Sequence, residues 1–218
     1  SSTLRISRVR LIGRPSAGGL ALALHPALQE LRVIVEGLFP LSDTVKQSLA
    51  GLLQPGISPA VAIVVLALIP AICEELAFRG YILSGLENDL KRVTAIIGSA
   101  LLFGLLHGLV SLYQQMFNAT LLGVLLGWLA LRTGSLFPCI VFHFINNGLA
   151  VGLQTSGAAK QASALYRDPA NVLYQPTLVL AGVLIAIVIL AFLTLRPGSG
   201  SLSTLSPPTE NTTDPHLT

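Results

Sequence analysis

Charged side chains are scarce here, at 11% of 218 residues, where an ordinary soluble domain carries roughly 25%. A soluble protein of this length needs a charged exterior, and a chain that is 52% hydrophobic cannot build one. Lipid must cover much of the surface, which excludes a soluble enzyme or binding module. Basic residues are also too few and too scattered for a nucleic-acid interface: the formal charge is only +3, and no basic patch with interleaved aromatics occurs. Cysteine is nearly absent. Cys73 and Cys139 both lie in apolar runs, so no disulfide framework follows and no Cys pairs stand at metal-site spacing. There is no glycine-rich phosphate loop and no internal repeat. A starting methionine is missing too. The chain opens Ser1-Ser2, with Arg5, Arg8, Arg10 and Arg14 not followed directly by a signal-type apolar core, and reads as the processed or excised part of a longer protein.

What is present is a series of apolar stretches near the length of about 20 residues that a spanning helix needs. Five stretches qualify or come close, at about 58–78, 93–113, 117–131, 136–153 and 172–195. The third is short and the fifth the most uniformly apolar. The fold class expected is all-α, a polytopic membrane helix bundle with about five transmembrane helices plus an N-terminal amphipathic helix. That first helix falls in residues 20–53, where His25, Glu30, Arg32, Glu36 and Lys46 interrupt Leu and Val, and an interfacial placement suits it. Three regions result: 1–56, a basic start and interfacial segment; 57–196, the membrane-embedded domain; and 197–218, a Ser/Thr/Pro-rich tail that cannot bury enough apolar surface to order itself. The side with Arg79, Lys91, Arg92, Arg132 and Arg196 outweighs the side with Lys46, Lys160 and Arg167. The positive-inside rule makes the first side cytoplasmic, Arg79 being discounted if paired.

Charge inside the apolar stretches carries the chemistry. Glu74, Glu75 and Arg79 close the first one, and an intramembrane charge is a functional hypothesis by default. Residues four apart share a helix face, so Glu75 can pair with Arg79 while Glu74 points about 100° away. A buried carboxylate without such a partner is a competent general base near neutral pH, which makes Glu74 the candidate base. His107 and His143 stand in other spans among residues with no polar function, Phe103 lying four before His107 and Asn147 four after His143. A glutamate, two histidines and an asparagine converging in a bundle interior would make a hydrolytic site: a base, a partner to orient water, and donors for an oxyanion. Each also has a plainer reading, as helix-to-helix hydrogen bonding for the histidines and Asn146 or Asn147, and as a solvated helix end for the glutamates. Cys139 four before His143, and Ser111 four after His107, are read as packing. His25 and His216 lie outside the spans and look incidental.

These motifs in this order resemble the CPBP family, the CAAX proteases and bacteriocin-processing enzymes with an Abi domain. That family is marked by Glu-Glu-x-x-x-Arg, Phe-x-x-x-His and His-x-x-x-Asn. The sequence supplies Glu74-Glu75-x-x-x-Arg79, Phe103-x-x-x-His107 and His143-x-x-x-Asn147, over about residues 57–153. The resemblance implies an intramembrane endopeptidase acting on membrane-associated peptides or proteins. In it Glu74 and His107 activate water, His143 and Asn147 stabilise the oxyanion, and Glu75 and Arg79 hold the geometry. No cofactor is expected. The alternative is a divalent metal such as zinc on Glu74, His107 and His143 with one position open for water, but there is no His-Glu-x-x-His helix. The expected partners are membrane lipid and the peptide substrate, with no nucleic acid; the expected location is the cell membrane of a bacterium. The competing function is a non-catalytic interaction module associated with, or fused to, a transporter permease, for which the Arg-rich start is the hint.

Overall fold

A computed structural model describes residues 13–40, 42–44, 47, 58–109, 113–156, 161, 163–168 and 172–195. The basic residues Arg5, Arg8 and Arg10, with Lys46, Lys160, Arg196, Ser111 and the tail 197–218, lie outside the described residues. Six long helices carry the fold: α1 (Gly13–Leu38), α2 (Pro59–Asp89), α3 (Arg92–Leu109), α4 (Tyr113–Thr133), α5 (Phe137–Ser156) and α6 (Pro176–Leu195). α2, α3, α4 and α6 are long and apolar enough to cross a membrane, and Phe137–Leu153 of α5 is a shorter apolar helix. The chain is thus an all-α polytopic helix bundle and an integral membrane protein.

Local chemistry sets the helix limits. Ser58 is extended and Pro59 occupies the first turn of α2, where a missing N–H costs nothing. Pro70 then falls inside the same helix. It cannot donate to a preceding carbonyl, and the turn before it, Val64–Leu68, widens to i→i+5 bonding. A second widened stretch, Leu76–Leu83, carries Arg79. α2 runs beyond the expected end near residue 78 because Leu83 and Leu86 keep an apolar face on the bundle, and it stops where Leu90 turns extended. Gly134, with φ of 64°, ends α4 in the left-handed conformation a glycine adopts without strain. Ser135 Oγ then accepts the Phe137 N–H at 3.2 Å and opens α5.

The last apolar stretch begins later than the sequence suggests. Tyr166–Asp168 (β1) and Leu173–Tyr174 (β2) pair as a small antiparallel hairpin before α6. Hydropathy cannot separate a buried hairpin rung from the start of a span, since Val172 and Leu173 are apolar in either case.

The main core joins α1, α4, α5 and α6 through Leu20, Leu126, Leu129, Phe142 and Ala186. α1 runs antiparallel to α6, Gly19 lying against Ile189 and Ala23 against Gly182. Its apolar face therefore meets protein. α3 and α4 approach backbone to backbone: a Cβ on Gly123 would stand 2.8 Å from Ala100 Cα, the close contact that small residues permit between membrane helices. Outward faces are apolar, with Val65, Ile69, Leu101, Leu105, Leu184 and Val188 exposed. On α6 the buried positions Gly182, Ala186 and Leu193 form one stripe, and the rest of that helix is left for lipid. Arg132 donates to the Leu193 and Thr194 carbonyls at 2.8 Å each, satisfying backbone acceptors that the end of α6 leaves open.

Candidate active site

Four charged or polar side chains from α2 and α5 meet in the interior. Glu75 and Arg79 pair within α2, Oε1 to Nη1 at 2.9 Å, both side chains 0% exposed. The same Oε1 takes a hydrogen bond from His143 Nδ1 on α5, also at 2.9 Å. Arg79 Nη2 donates to the Gly123 carbonyl at 3.2 Å, and its guanidinium lies 4.6 Å from the Phe103 ring centroid. Phe103 in turn packs edge-on to Phe78, His107 and His143. A guanidinium stacked on an aromatic face and bonded to a carboxylate and a carbonyl is one of the few ways a cation is tolerated without water.

This network fixes the histidines. A carboxylate oxygen only accepts, so His143 Nδ1 carries a hydrogen, and its Nε2 is turned toward Glu74 Oε2, 3.8 Å away. That carboxylate oxygen is buried and has no hydrogen-bond partner among the described residues. The separation is too long for a direct bond and short enough for one water to touch both. His107 Nδ1 donates to the Phe103 carbonyl one turn back, at 2.9 Å, which leaves Nε2 as the nitrogen available to the cleft.

A cleft of about 140 Å³ brings His107, His143 and Asn147 together with Phe103 and Asn146, with room for several waters. Glu74 does not line this cleft and meets it through His143. The walls include residues the motifs did not single out: Gln29 and Arg32 from α1, and Gln115 and Asn118 from α4. A signal for them exists in the sequence. His25, Gln29, Arg32 and Glu36 recur at spacings of four, three and four, a polar stripe along one face of α1, and Gln115 and Asn118 share a face of α4. Gln29 Oε1 accepts from Arg32 Nε at 3.3 Å, and among the described residues Gln29 Nε2 is a buried donor without a partner and Asn118 Oδ1 a buried acceptor without one.

Among the described residues no three His, Cys, Asp or Glu side chains are gathered as metal ligands. Glu74 and His143 approach one another, but the set Glu74, His107, His143 is not among side chains gathered closely enough to hold one ion. The side chains as placed do not fit a metal. Cys139 is buried, its Sγ directed to the Leu126 carbonyl at 3.3 Å, and lines no part of the cleft.

A polytopic bundle with ionisable residues of separate spans gathered at a cleft with room for several waters suits hydrolysis within the membrane. The comparison with protein families agrees: a model described as Type II CAAX prenyl endopeptidase Rce1-like matches residues 56–149. That segment holds all three motifs, and the match supports a likeness to the CPBP family of intramembrane proteases. No curated protein and no solved structure matches the chain. α1 and α6 lie outside the matched segment, although α1 supplies part of the cleft wall.

Proposed function

We propose that the chain is an endopeptidase of membrane-associated peptides or proteins in which Glu74 is the general base. The observation that carries this reading is the arrangement of His143. Anchored through Nδ1 by the buried Glu75–Arg79 pair, it lines the cleft that His107 and Asn147 share and directs Nε2 at the Glu74 oxygen behind it, which has no partner among the described residues.

In the mechanism this supports, a water seated between Glu74 and the cleft gives its proton to the Glu74 carboxylate as its oxygen attacks the peptide carbonyl. His107 Nε2 accepts a hydrogen bond from the O–H that the water keeps, and orients it. Asn147 Nδ2–H donates to the oxygen of the tetrahedral intermediate. So does His143 through Nε2–H, its Nδ1–H being held by Glu75. Such donors act with full strength because the site is shielded from bulk solvent. Glu74 then returns its proton to the leaving amine. Glu75 and Arg79 touch no reacting atom; they hold the ring.

A substrate helix would hide its carbonyls in its own hydrogen bonds, so the segment cut must be extended where it enters. Gln29 Nε2 and Asn118 Oδ1, one unpartnered donor and one unpartnered acceptor in the same cleft, are suited to a peptide's C=O and N–H. We assign the substrate to the membrane surface or interior and the location to a bacterial cell membrane. The test co-expresses wild type and Glu74→Gln with a membrane proteome and compares the fragments. Fragments present only with wild type are expected. Identical fragment sets, with one partner co-purifying with both proteins, would favour a non-catalytic, permease-associated module instead.

A further inference from the structure

α1 lies outside the matched residues 56–149, yet one of its side chains is bonded into the site. His25 is 2% exposed, and its Nδ1 stands 3.4 Å from Asn146 Oδ1 on α5. An amide oxygen only accepts, so this nitrogen carries the hydrogen. Asn146 in turn directs Nδ2 to Asn147 Oδ1, also at 3.4 Å. With its oxygen engaged as an acceptor, Asn147 has its Nδ2 left for the cleft, which both asparagines line. We propose that His25 is a positioning residue: through Asn146 it fixes the amide of Asn147 so that the NH₂ group, and not the oxygen, faces the substrate carbonyl. The proposal rests on the oxyanion role given to Asn147 above.

The direction of this relay decides whether it helps. Were His25 Nδ1 bare, it would accept from the Asn146 amide and turn it over. Asn146 would then accept from Asn147, which would show the cleft its oxygen and repel a developing oxyanion. The two ends of an amide are nearly equal in size, so packing alone does not choose between these states. The choice must come from a group whose hydrogen is itself fixed. His25 Nε2 is buried without a partner among the described residues, and the ring stands edge-on to Tyr174, centroids 5.9 Å apart at 87°. A hydrogen on that nitrogen would be an unmet buried donor, the rarer condition in folded proteins, whereas a bare nitrogen forgoes only an acceptor bond. The surroundings of Nε2 thus favour hydrogen on Nδ1, the tautomer the relay requires. The polar stripe on α1 has a purpose in this reading: its first member, His25, sets the oxyanion donor, and Gln29 and Arg32, further along it, line the cleft.

Nitrogen NMR of the detergent-solubilised full chain, ¹⁵N-labelled at histidine, reads the tautomer without any substrate, the His25 signal being assigned from its loss in His25→Phe or His25→Gln. Hydrogen on Nδ1 with Nε2 bare is expected; hydrogen on Nε2 would overturn the relay. Kinetics supply the second arm, using a quenched peptide built on a bond that wild type cuts. His25→Phe and Asn146→Leu should each lower kcat about three- to tenfold with KM unchanged, the effect of one misdirected hydrogen bond. Neither should lower it further in an Asn147→Ala background. Additive losses in the double variants would mean that His25 only packs, and would overturn the relay. Asn146→Leu carries this arm whether or not His25→Phe folds. Full activity of Asn147→Ala would instead remove the oxyanion role and the relay's use together, and the single-variant rate tells that outcome from failure of the relay alone.

Discussion

Removing the Glu75 carboxylate while leaving its neighbours in place should be far more damaging than removing that of Glu74, one residue earlier. Glu75 Oε1 accepts from Arg79 Nη1 and from His143 Nδ1, each at 2.9 Å, with the Glu75 and Arg79 side chains 0% exposed. Hydrogen bonds to charged groups contribute about 1.5–3 kcal/mol each, so two lost together amount to about 3–6 kcal/mol. Breaking a buried ion pair by deleting one partner costs about 3–5 kcal/mol by a separate route. Both point to about 4 kcal/mol for Glu75→Ala. At roughly 2–4 °C per kcal/mol for a chain of this size, Tm should fall by about 8–16 °C. Glu74 is 24% exposed, and among the described residues its Oε2 makes no hydrogen bond and has His143 Nε2 3.8 Å away, so Glu74→Ala should cost at most about 1 kcal/mol, or at most about 4 °C. Thermal unfolding in detergent, followed by fluorescence of the single tryptophan, Trp128, which packs on the main core, measures both. Equal melting temperatures for the two variants would refute the asymmetry on which the site's description depends.

The α3–α4 contact offers a second test. Gly123→Ala places a methyl 2.8 Å from Ala100 Cα, so the helices must separate; a loss of about 1–3 kcal/mol is expected, together with reduced cleavage as the Gly123 carbonyl leaves Arg79. Gly85→Ala, where a Cβ meets open space, is the control and should leave Tm and cleavage unchanged. Gln29→Ala removes the unpartnered cleft donor and should raise KM up to about tenfold with kcat preserved, read in steady-state kinetics; a fall in kcat alone would move Gln29 from substrate binding to the chemical step. Cleavage should survive dialysis of the purified protein against EDTA, and elemental analysis should find less than stoichiometric metal. Activity lost to EDTA and restored by zinc would overturn the metal-free mechanism.

What the sequence revealed followed from how local each relation is. Glu75 and Arg79 lie one turn apart on one helix, so spacing alone predicts that they share a face, and they do. The approach of His143 to both carboxylates crosses two helices and 68 residues, and no spacing rule reaches that far. Spacing separates Glu74 from Glu75 by about 100°, yet His143 meets one with each ring nitrogen, because an imidazole presents its two nitrogens in different directions. The spans were legible from hydropathy, apart from the extension of α2 to Asp89 and the hairpin before α6. α1 was the hardest to read. A polar stripe facing water at a membrane surface and a polar stripe facing an internal cleft have the same sequence, and only the packing of α1 on α5 and α6 separates them. For that reason His25 looks incidental in the sequence and is bonded to Asn146 in the fold.

The most direct test of the account is the cleavage rate of purified Glu74→Gln beside wild type on one peptide that wild type cuts. The substitution keeps the side chain's volume and removes the base. Rate loss to background, with melting temperature within a few degrees of wild type, is the predicted result. Cleavage retained by a folded Glu74→Gln protein would contradict the assignment of Glu74 as the base.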